Sequence, residues 1–330
     1  MILKNLMNRM PVFFLAVLCV FCNVSCFNQS KKKTIQSEPQ SIILGFSQIG
    51  AESAWRNCNT RSVQDAASVS GVQLVFSNAE QKQENQIKAI RSFIAYQVDV
   101  IAFVPIVADG WDNVLHEAKV AGIPVLVTDR KINTTDESLY AGFIGTDSEQ
   151  EGREAANFLL KKFKNSSQVR IVELSGTEGS SVAIGRAKGF REILDKHPSF
   201  KIVHSVSGDF LRSKGYEIMV SVLQNLSGID AIFSHNDGMT LGILDAMREK
   251  GLKPGKDIVI VTVDAEQAAI DALRAGEVNC VIECNPKTGP EIMALAKKLA
   301  SGGKIPRLLH VKEKVFTEDD DLSHLESRGY

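Results

Sequence analysis

From residue 42 onward, short apolar runs alternate with longer stretches that carry apolar residues at helical spacing. The run 100–104 is apolar at every position, which is typical of a strand buried on both faces of a parallel sheet. The segment 82–96 instead places Ile87, Ile90 and Ile94 on one face of a helix. This alternation predicts an α/β fold of the doubly wound type, with parallel strands covered by helices.

The pattern predicts the position of each element. Strands are predicted at 42–46, 72–76, 100–104, 124–127, 140–145, 169–174, 201–206, 231–234, 258–263 and 278–283. Helices are predicted at 53–69, 82–96, 114–120, 148–164, 181–196, 213–226, 238–250, 266–275 and 287–301. So many strands suit two sheets better than one, and no Pro- or Ser-rich linker interrupts 42–302. We therefore expect two domains between which the chain crosses inside structured segments.

Several function classes are disfavoured by composition and by missing motifs. Lys plus Arg is 38 and Asp plus Glu is 39, so bulk charge gives no indication of nucleic-acid binding. The sequence has no dinucleotide fingerprint, no Walker motif and no Gly-x-Ser-x-Gly elbow. Its histidines show no metal-ligand spacing. We therefore predict a protein that is not an enzyme and that needs no cofactor or metal.

The first residues have the pattern of an export signal. Lys4 and Arg9 precede the apolar run 11–21, which is too short for a membrane-spanning helix of about 20 residues. A basic start followed by a short apolar segment is typical of a secretory signal. We predict that 1–25 is a signal peptide of the lipoprotein type.

The segment that follows resembles a bacterial lipobox. Cys26 would be the acylated first residue of the mature protein, and 26–41 would be a flexible tether. Asn23 stands where the pattern has an aliphatic residue, and Cys22 is a second, poorer candidate. An ordinary cleaved signal and an uncleaved anchor remain the alternatives.

Planar polar groups follow the predicted strands, where ligands of doubly wound sheets bind. Such groups can bridge neighbouring hydroxyls of a sugar, and an aromatic ring can cover the C–H face. The residues at these places include Asp129, Arg130, Arg186, Asn236, Asp264 and Glu283, together with Trp55 near the start of the first helix. Helix capping is the simpler explanation for Asp147 and Asp237. Surface ion pairing is the simpler explanation for Arg130 and Arg186.

An ordered set of motifs spans Ile43 to about Lys256. It comprises GFSQ at 45–48, WR at 55–56, QKQENQIKA at 81–89, IPV at 123–125, DR at 129–130, SVAI at 181–184, SGDF at 207–210, RSKG at 212–215, HND at 235–237 and GLKPGKD at 251–257. In these motifs the chain resembles the periplasmic monosaccharide-binding proteins of bacterial ABC importers, of the ribose and galactose type, and most of all the members that bind galactofuranose. A weaker likeness extends to 329–330.

The resemblance implies a periplasmic binding protein type I fold, with two lobes joined by three crossovers. The crossovers would lie near 146–147, 264–265 and 302–304. The N-terminal lobe would then contain 42–146 plus 265–302, and the C-terminal lobe 147–264 plus 303–330.

The resemblance also implies the ligand contacts. It assigns them to Gln48, Gly50, Glu52, Arg130, Arg186, Asn236 and Asp264, to which position and chemistry add Trp55 and Asp129. Glu283 replaces an amide that is common in ribose-binding relatives, so the identity of the sugar stays open.

We therefore expect the ligand-binding component of an ABC sugar importer. It would be a monomer that captures a galactofuranose-like or other monosaccharide by hinge closure, with a permease and its ATPase as partners. The alternative is a lipid-anchored sensor of a sugar or other diol that signals to a chemoreceptor or sensor kinase. A repressor with this fold would need a DNA-binding segment before residue 42, where the sequence has the predicted signal and tether.

Overall fold

A computed structural model of the chain describes residues 41–330. Its strands are β1 Ile43–Gln48, β2 Gln73–Asn78, β3 Val100–Phe103, β4 Val125–Thr128, β5 Gly142–Gly145, β6 Val169–Ser175, β7 Phe200–Ser207, β8 Ala231–Ser234, β9 Val259–Asp264, β10 Cys280–Glu283, β11 Leu308–His310 and β12 Val315–Thr317. Its helices are α1 Ala54–Ser70, α2 Gln83–Tyr96, α3 Asp112–Val120, α4 Ser148–Lys162, α5 Ser181–Leu194, α6 Arg212–Asn225, α7 Asp237–Glu249, α8 Gln267–Arg274 and α9 Gly289–Ala300. A short 3₁₀ helix covers Glu137–Leu139.

The strands form two six-stranded sheets. The first sheet has the order β11-β5-β4-β3-β1-β2 and its pairs are all parallel. The second has the order β12-β10-β9-β8-β6-β7, in which only the edge strand β12 is antiparallel. Central strands such as β3 and β8 are buried along their whole length, because helices cover both faces. The predicted doubly wound fold of periplasmic binding protein type I is confirmed.

Two short strands were missed by the sequence analysis. Strands β11 and β12 have only three residues each, and Leu308 and Val315 at their starts are exposed. Such strands carry too little apolar patterning to stand out from a loop. They lie at the edges of the two sheets, where the chain adds one late strand to each.

The predicted lobe boundaries need correction at two of the three crossovers. We placed 265–302 with the first sheet, but β10 pairs with β9 and β12, so α8 and β10 belong to the second sheet. The chain leaves the second sheet after Glu283, not at 264–265. We also placed 303–330 with the second sheet, but β11 pairs with β5 of the first. The last crossover therefore lies between β11 and β12. The first passage occurs between β5 and α4.

The reason for the error at 264–265 is visible in the backbone. Asp264 and Ala265 both adopt positive φ angles, so the chain turns sharply after β9 without leaving its sheet. The actual passage begins at Cys284 and ends at helix α9, which packs against the first sheet through Ile292 and Met293.

The predicted signal peptide 1–25, the acylated Cys26 and the tether 26–41 lie outside the described residues, apart from position 41. Within the part of the chain that is described, no helix combines the length and the apolar character needed to cross a membrane.

Candidate functional site

A cavity lies where the carboxyl ends of strands from both sheets face each other. It contains about 340 Å³ of empty space, part of which is continuous with solvent. Its lining consists of Glu52, Ser53, Trp55, Arg56, Asp129, Arg130, Val182, Arg186, Phe210, Asn236, Asp264 and Cys284. The residues before position 140 come from the first sheet and its helix α1, and form what we call the first wall. The residues from 182 to 264 form the second wall.

The first wall is organised around the Arg56 guanidinium. Its Nε donates to Glu52 Oε1 at 3.0 Å, and its Nη2 lies 2.8 Å from Asp129 Oδ2. Gln48 Oε1 accepts from Nη1 at 3.3 Å. The Ser53 hydroxyl caps α1 by accepting from the Arg56 backbone N–H, which fixes the first turn of the helix at the cavity. One buried cation thus holds two carboxylates in place.

These two carboxylates keep acceptor capacity free. Glu52 Oε2 is buried and has no hydrogen-bond partner among residues 41–330. Asp129 Oδ2 already contacts Arg56 Nη2 at 2.8 Å, and its remaining lone pair can accept a further hydrogen bond. Burial favours the neutral acid at Glu52, but Arg56 and Arg130 outweigh it and lower the pKa of Glu52. The first wall therefore presents charged acceptors to the cavity.

Arg130 is the cation of the first wall that lacks a close carboxylate. Its Nη1 donates to the carbonyl of Ile106 at 2.9 Å, and its guanidinium lies 5.4 Å from the Phe210 ring centroid. No carboxylate of residues 41–330 forms an ion pair with it. Burial, reinforced by the neighbouring Arg56, lowers the pKa of Arg130 to about 10, so it stays charged at neutral pH. Its remaining N–H groups can donate to a ligand.

The second wall is organised around Arg186. Its Nε donates to Glu151 Oε2 at 2.6 Å, its Nη1 donates to the carbonyl of His235, and its Nη2 lies 3.9 Å from Asp264 Oδ1. Burial opposes the charge, but Glu151 and Asp264 outweigh it and raise the pKa of Arg186. Gly152 allows α4 to pack closely on α5, because a Cβ at this position would lie 2.1 Å from the carbonyl oxygen of Arg186. This close packing permits the ion pair between Glu151 and Arg186.

Asp264 ends β9 with its backbone in a rare conformation. Its φ is 129° and that of Ala265 is 63°, both in the region that favours glycine. Burial raises the pKa of the Asp264 carboxyl well above its usual value, and Asp237 and Glu266 add to the shift against the opposing charge of Arg186.

Asn236 caps helix α7 as well as lining the cavity. Its Oδ1 accepts from the N–H of Met239 at 3.0 Å, and its Nδ2 donates to the carbonyl of Phe210 at 3.3 Å. The cap expected at Asp237 is therefore wrong: that carboxylate accepts from Thr262 Oγ1 and from the N–H of Glu266. Asp147 does cap α4 as expected.

Trp55 joins the two sides of the cavity. Its Nε1 donates to the carbonyl of Cys284 at 2.5 Å, and its backbone N–H donates to Glu266 Oε1 at 2.9 Å. The Arg56 guanidinium lies 4.7 Å from its ring centroid. Trp55 thus belongs to α1 but is fixed by groups that follow β9 and β10.

The structure brings most of the predicted site residues together. Lining the cavity are Glu52, Trp55, Asp129, Arg130, Arg186, Asn236 and Asp264. Gln48 lies behind this lining, where its side chain accepts a hydrogen bond from Arg56. Gly50 lies beside Glu52: a Cβ added to Gly50 would be 3.2 Å from Glu52 Oε2. Glu283 is also displaced from the cavity, because its carboxylate pairs with Arg328. The direct contacts expected of these three are not supported by the geometry.

Arg56 and Phe210 line the cavity but were not among the predicted site residues. Both stand inside motifs that carry the family resemblance, at 55–56 and 207–210. Phe210 follows β7 in a left-handed conformation and its ring packs on Gly176, where an added Cβ would lie 1.8 Å from the ring. Their positions inside these motifs could have identified both as site residues. The packing of Phe210 on Gly176 joins distant parts of the chain and could not be predicted from the sequence.

One group behind the second wall has the spacing of metal ligands. Glu151, Cys284 and Glu313 each place one ligand atom within 4.8 Å of the others. Arg186 is hydrogen-bonded to Glu151 at the same place, so its charge opposes a bound cation. Burial and the nearby Glu151 instead raise the pKa of Glu313 to about 9, which leaves Glu313 protonated at neutral pH.

Known proteins resemble the chain over nearly all of the described residues. Residues 44–304 match the family described as periplasmic binding protein domain. The galactofuranose-binding protein of Escherichia coli K12 is 42% identical over 291 residues, which is 87% of this chain and 91% of that protein.

Solved structures agree with this result. A Mycobacterium smegmatis protein in complex with β-D-fucofuranose has 47% identity and a TM-score of 0.83, and the match covers 84% of this chain and 92% of that one. The binding protein of the arabinose ABC transporter from Shewanella sp. ANA-3, bound to α- and β-L-arabinofuranose, has 43% identity and a TM-score of 0.81. That match also covers 84% of this chain and 92% of the other.

Proposed function

Because the chain belongs to the periplasmic binding protein domain family, we propose that its cavity captures a monosaccharide for an ABC importer. We further propose that the ligand is a sugar in the furanose form, of the galactofuranose, fucofuranose or arabinofuranose class. The three similar proteins described above support this choice, since the description of each includes such a sugar.

The observation that carries the proposal is the set of cavity groups with unused hydrogen-bonding capacity. Glu52 Oε2 and Asp129 Oδ2 offer charged acceptors, and Arg130 offers donors without a carboxylate partner. Vicinal hydroxyls both donate and accept, so one sugar can satisfy all three residues together. The Phe210 and Trp55 rings supply apolar surface for C–H groups.

We propose that binding closes two lobes, one around each sheet. Two backbone donors of the first lobe already reach the second: Ala108 N–H donates to the Gly179 carbonyl at 2.9 Å, and Lys131 N–H donates to Ser181 Oγ at 2.7 Å. Such contacts require the two lobes to lie against each other. A ligand that touches both walls binds this arrangement better and shifts the population towards it.

The proposed role is capture without chemical conversion. Both carboxylates of the first wall are ion-paired with Arg56, and lowering of the Glu52 pKa makes it a weak base. The named role of similar proteins in sugar import favours a permease and ATPase as partners over a sensor kinase.

We also propose that the protein is an exported monomer anchored through Cys26. Family membership supports export. Mass spectrometry of the mature protein from the membrane fraction tests the anchor: we expect a diacylglyceryl modification at Cys26 that Cys26→Ser removes. A membrane-bound Cys26→Ser protein, or an unmodified Cys26, would refute it.

Calorimetry with ring-locked sugars tests the function. The matched pair is 1,4-anhydrogalactitol, locked as a furanose, and 1,5-anhydrogalactitol, locked as a pyranose. L-Arabinose, D-galactose and D-fucose complete the panel. We expect micromolar or tighter binding of at least one free sugar and preference for the furanose-locked analogue. Binding of no sugar would refute the function, and preference for the pyranose-locked analogue would refute the ring form.

A further inference from the structure

The turn that places Asp264 at the cavity is hydrogen-bonded to a distant segment of the chain. Asp264 and Ala265 both have positive φ angles, which cost free energy in residues other than glycine and persist only where surrounding contacts impose them. The carbonyls of these two residues both accept hydrogen bonds from one segment, residues 328–330, and the Asp264 carbonyl also accepts from the N–H of Cys284 at 3.2 Å.

The contacts of this segment are specific side-chain bonds. Tyr330 Oη donates to the Asp264 carbonyl at 3.2 Å, and Arg328 Nε donates to the Ala265 carbonyl at 3.2 Å. Arg328 Nη2 also donates to Tyr330 Oη at 3.0 Å and pairs with Glu283. Glu283 lies beside Asp264 in the register of β10 on β9, so one arginine ties the ends of both strands together.

The segment is itself fixed at further points. The N–H of Gln267 donates to the Tyr330 carbonyl at 2.7 Å, and Gln267 Oε1 accepts from the N–H of Arg328 at 2.9 Å. Lys287 Nζ, on the crossover that follows β10, donates to the Arg328 carbonyl at 2.7 Å. Residues 328–330 thus connect the turn after β9, the end of β10 and the crossover.

We propose that Arg328 and Tyr330 are positioning residues, which hold the 264–265 turn so that the Asp264 carboxyl is presented to the sugar. This inference rests on the proposed function. It also explains the place of Glu283: the residue acts on the ligand through Arg328 and the turn, without touching the cavity.

The first test removes single hydrogen-bonding groups. With the tightest-binding sugar of the panel, we expect Tyr330→Phe to weaken binding about fivefold, as for one neutral hydrogen bond. We expect Arg328→Met to weaken it tenfold or more. Tyr216→Phe is the matched control, since its hydroxyl bonds to Glu249 on the surface. Arg274→Met is the control for Arg328, since it also donates to backbone carbonyls, those of Leu322 and Leu325. Both controls should bind like the unaltered protein.

The second test separates positioning from general stability. Asp264→Asn removes the carboxyl that the turn presents, so adding Tyr330→Phe to it should change affinity less than twofold. A purely structural role would give the same fivefold loss in both backgrounds. Equal losses, or normal affinity in both single variants, would overturn the proposal. If the unaltered protein binds no sugar, the proposed function fails instead.

Discussion

The two walls of the cavity use the same residue types in opposite ways. In the first wall, Arg56 holds Glu52 and Asp129, yet Glu52 Oε2 lacks a hydrogen bond and Arg130 lacks a carboxylate. In the second wall, most polar groups are committed to the protein. Asn236 uses both ends of its amide, and Arg186 is bonded to Glu151 and to a backbone carbonyl.

This difference indicates that the two walls contribute differently to ligand binding. Groups with unused hydrogen-bonding capacity gain most from a ligand, so the first wall should dominate recognition. Groups already bonded to the protein are held in one geometry. The second wall should therefore act as a preorganised surface that covers the sugar when the lobes close. Substitutions in the two walls should therefore separate affinity from stability.

The largest effect is expected in the second wall. Arg186→Met would leave the buried Glu151 carboxylate without its cation, and breaking such a pair costs about 3–5 kcal/mol of unfolding free energy. Binding should be lost as well. Denaturant unfolding and calorimetry measure the two effects, with the more exposed Arg153→Met as control. Unchanged stability together with normal binding would contradict the role assigned to Arg186.

The next effect is expected in the first wall and in affinity alone. Arg130→Met removes donors that have no carboxylate partner, so binding should weaken roughly 10- to 100-fold through loss of a charged hydrogen bond. Stability should stay the same or rise, because a buried cation is replaced by an apolar group. Calorimetry and thermal unfolding test this. A large loss of stability with little loss of affinity would contradict the role in recognition assigned to the first wall.

Much of this arrangement was predictable from sequence, and the exceptions have physical causes. Strand-end positions identified Asp129, Arg130 and Asp264, since parallel strands bring their carboxyl ends to one edge. Arg186 was identified inside α5, the helix that follows β6. Glu283 satisfied the same rule but was captured by Arg328, a partner 45 residues away that spacing along the chain does not reveal. The last crossover was misplaced because three-residue edge strands leave almost no periodic signal.

The smallest effect on sugar binding is expected behind the second wall, at Glu313, which does not line the cavity. Its pKa is raised from 4.5 to about 9, so the folded state binds more protons than the unfolded state between these values. Unfolding free energy should therefore fall as pH rises from about 4.5 towards 9. Glu313→Gln should remove this decline, so that it stabilises the protein more at pH ~8 than near pH ~5.

Thermal unfolding across this pH range measures the effect. Glu291→Gln is a suitable control, because this exposed residue lies in the first turn of α9, away from the Glu151 cluster. Parallel pH profiles for the Glu313→Gln variant and the unaltered protein would show that Glu313 is not held protonated in the folded state.

A crystal structure with the best-binding sugar tests the central claim most directly. The account predicts a furanose ring enclosed between the two walls, with its hydroxyls within about 3.2 Å of Glu52 Oε2, Asp129 Oδ2 and the Arg130 guanidinium. The Asn236 amide should keep its bonds to Met239 and Phe210. A sugar bound elsewhere, or one whose hydroxyls leave all three first-wall groups unpaired, would contradict the account.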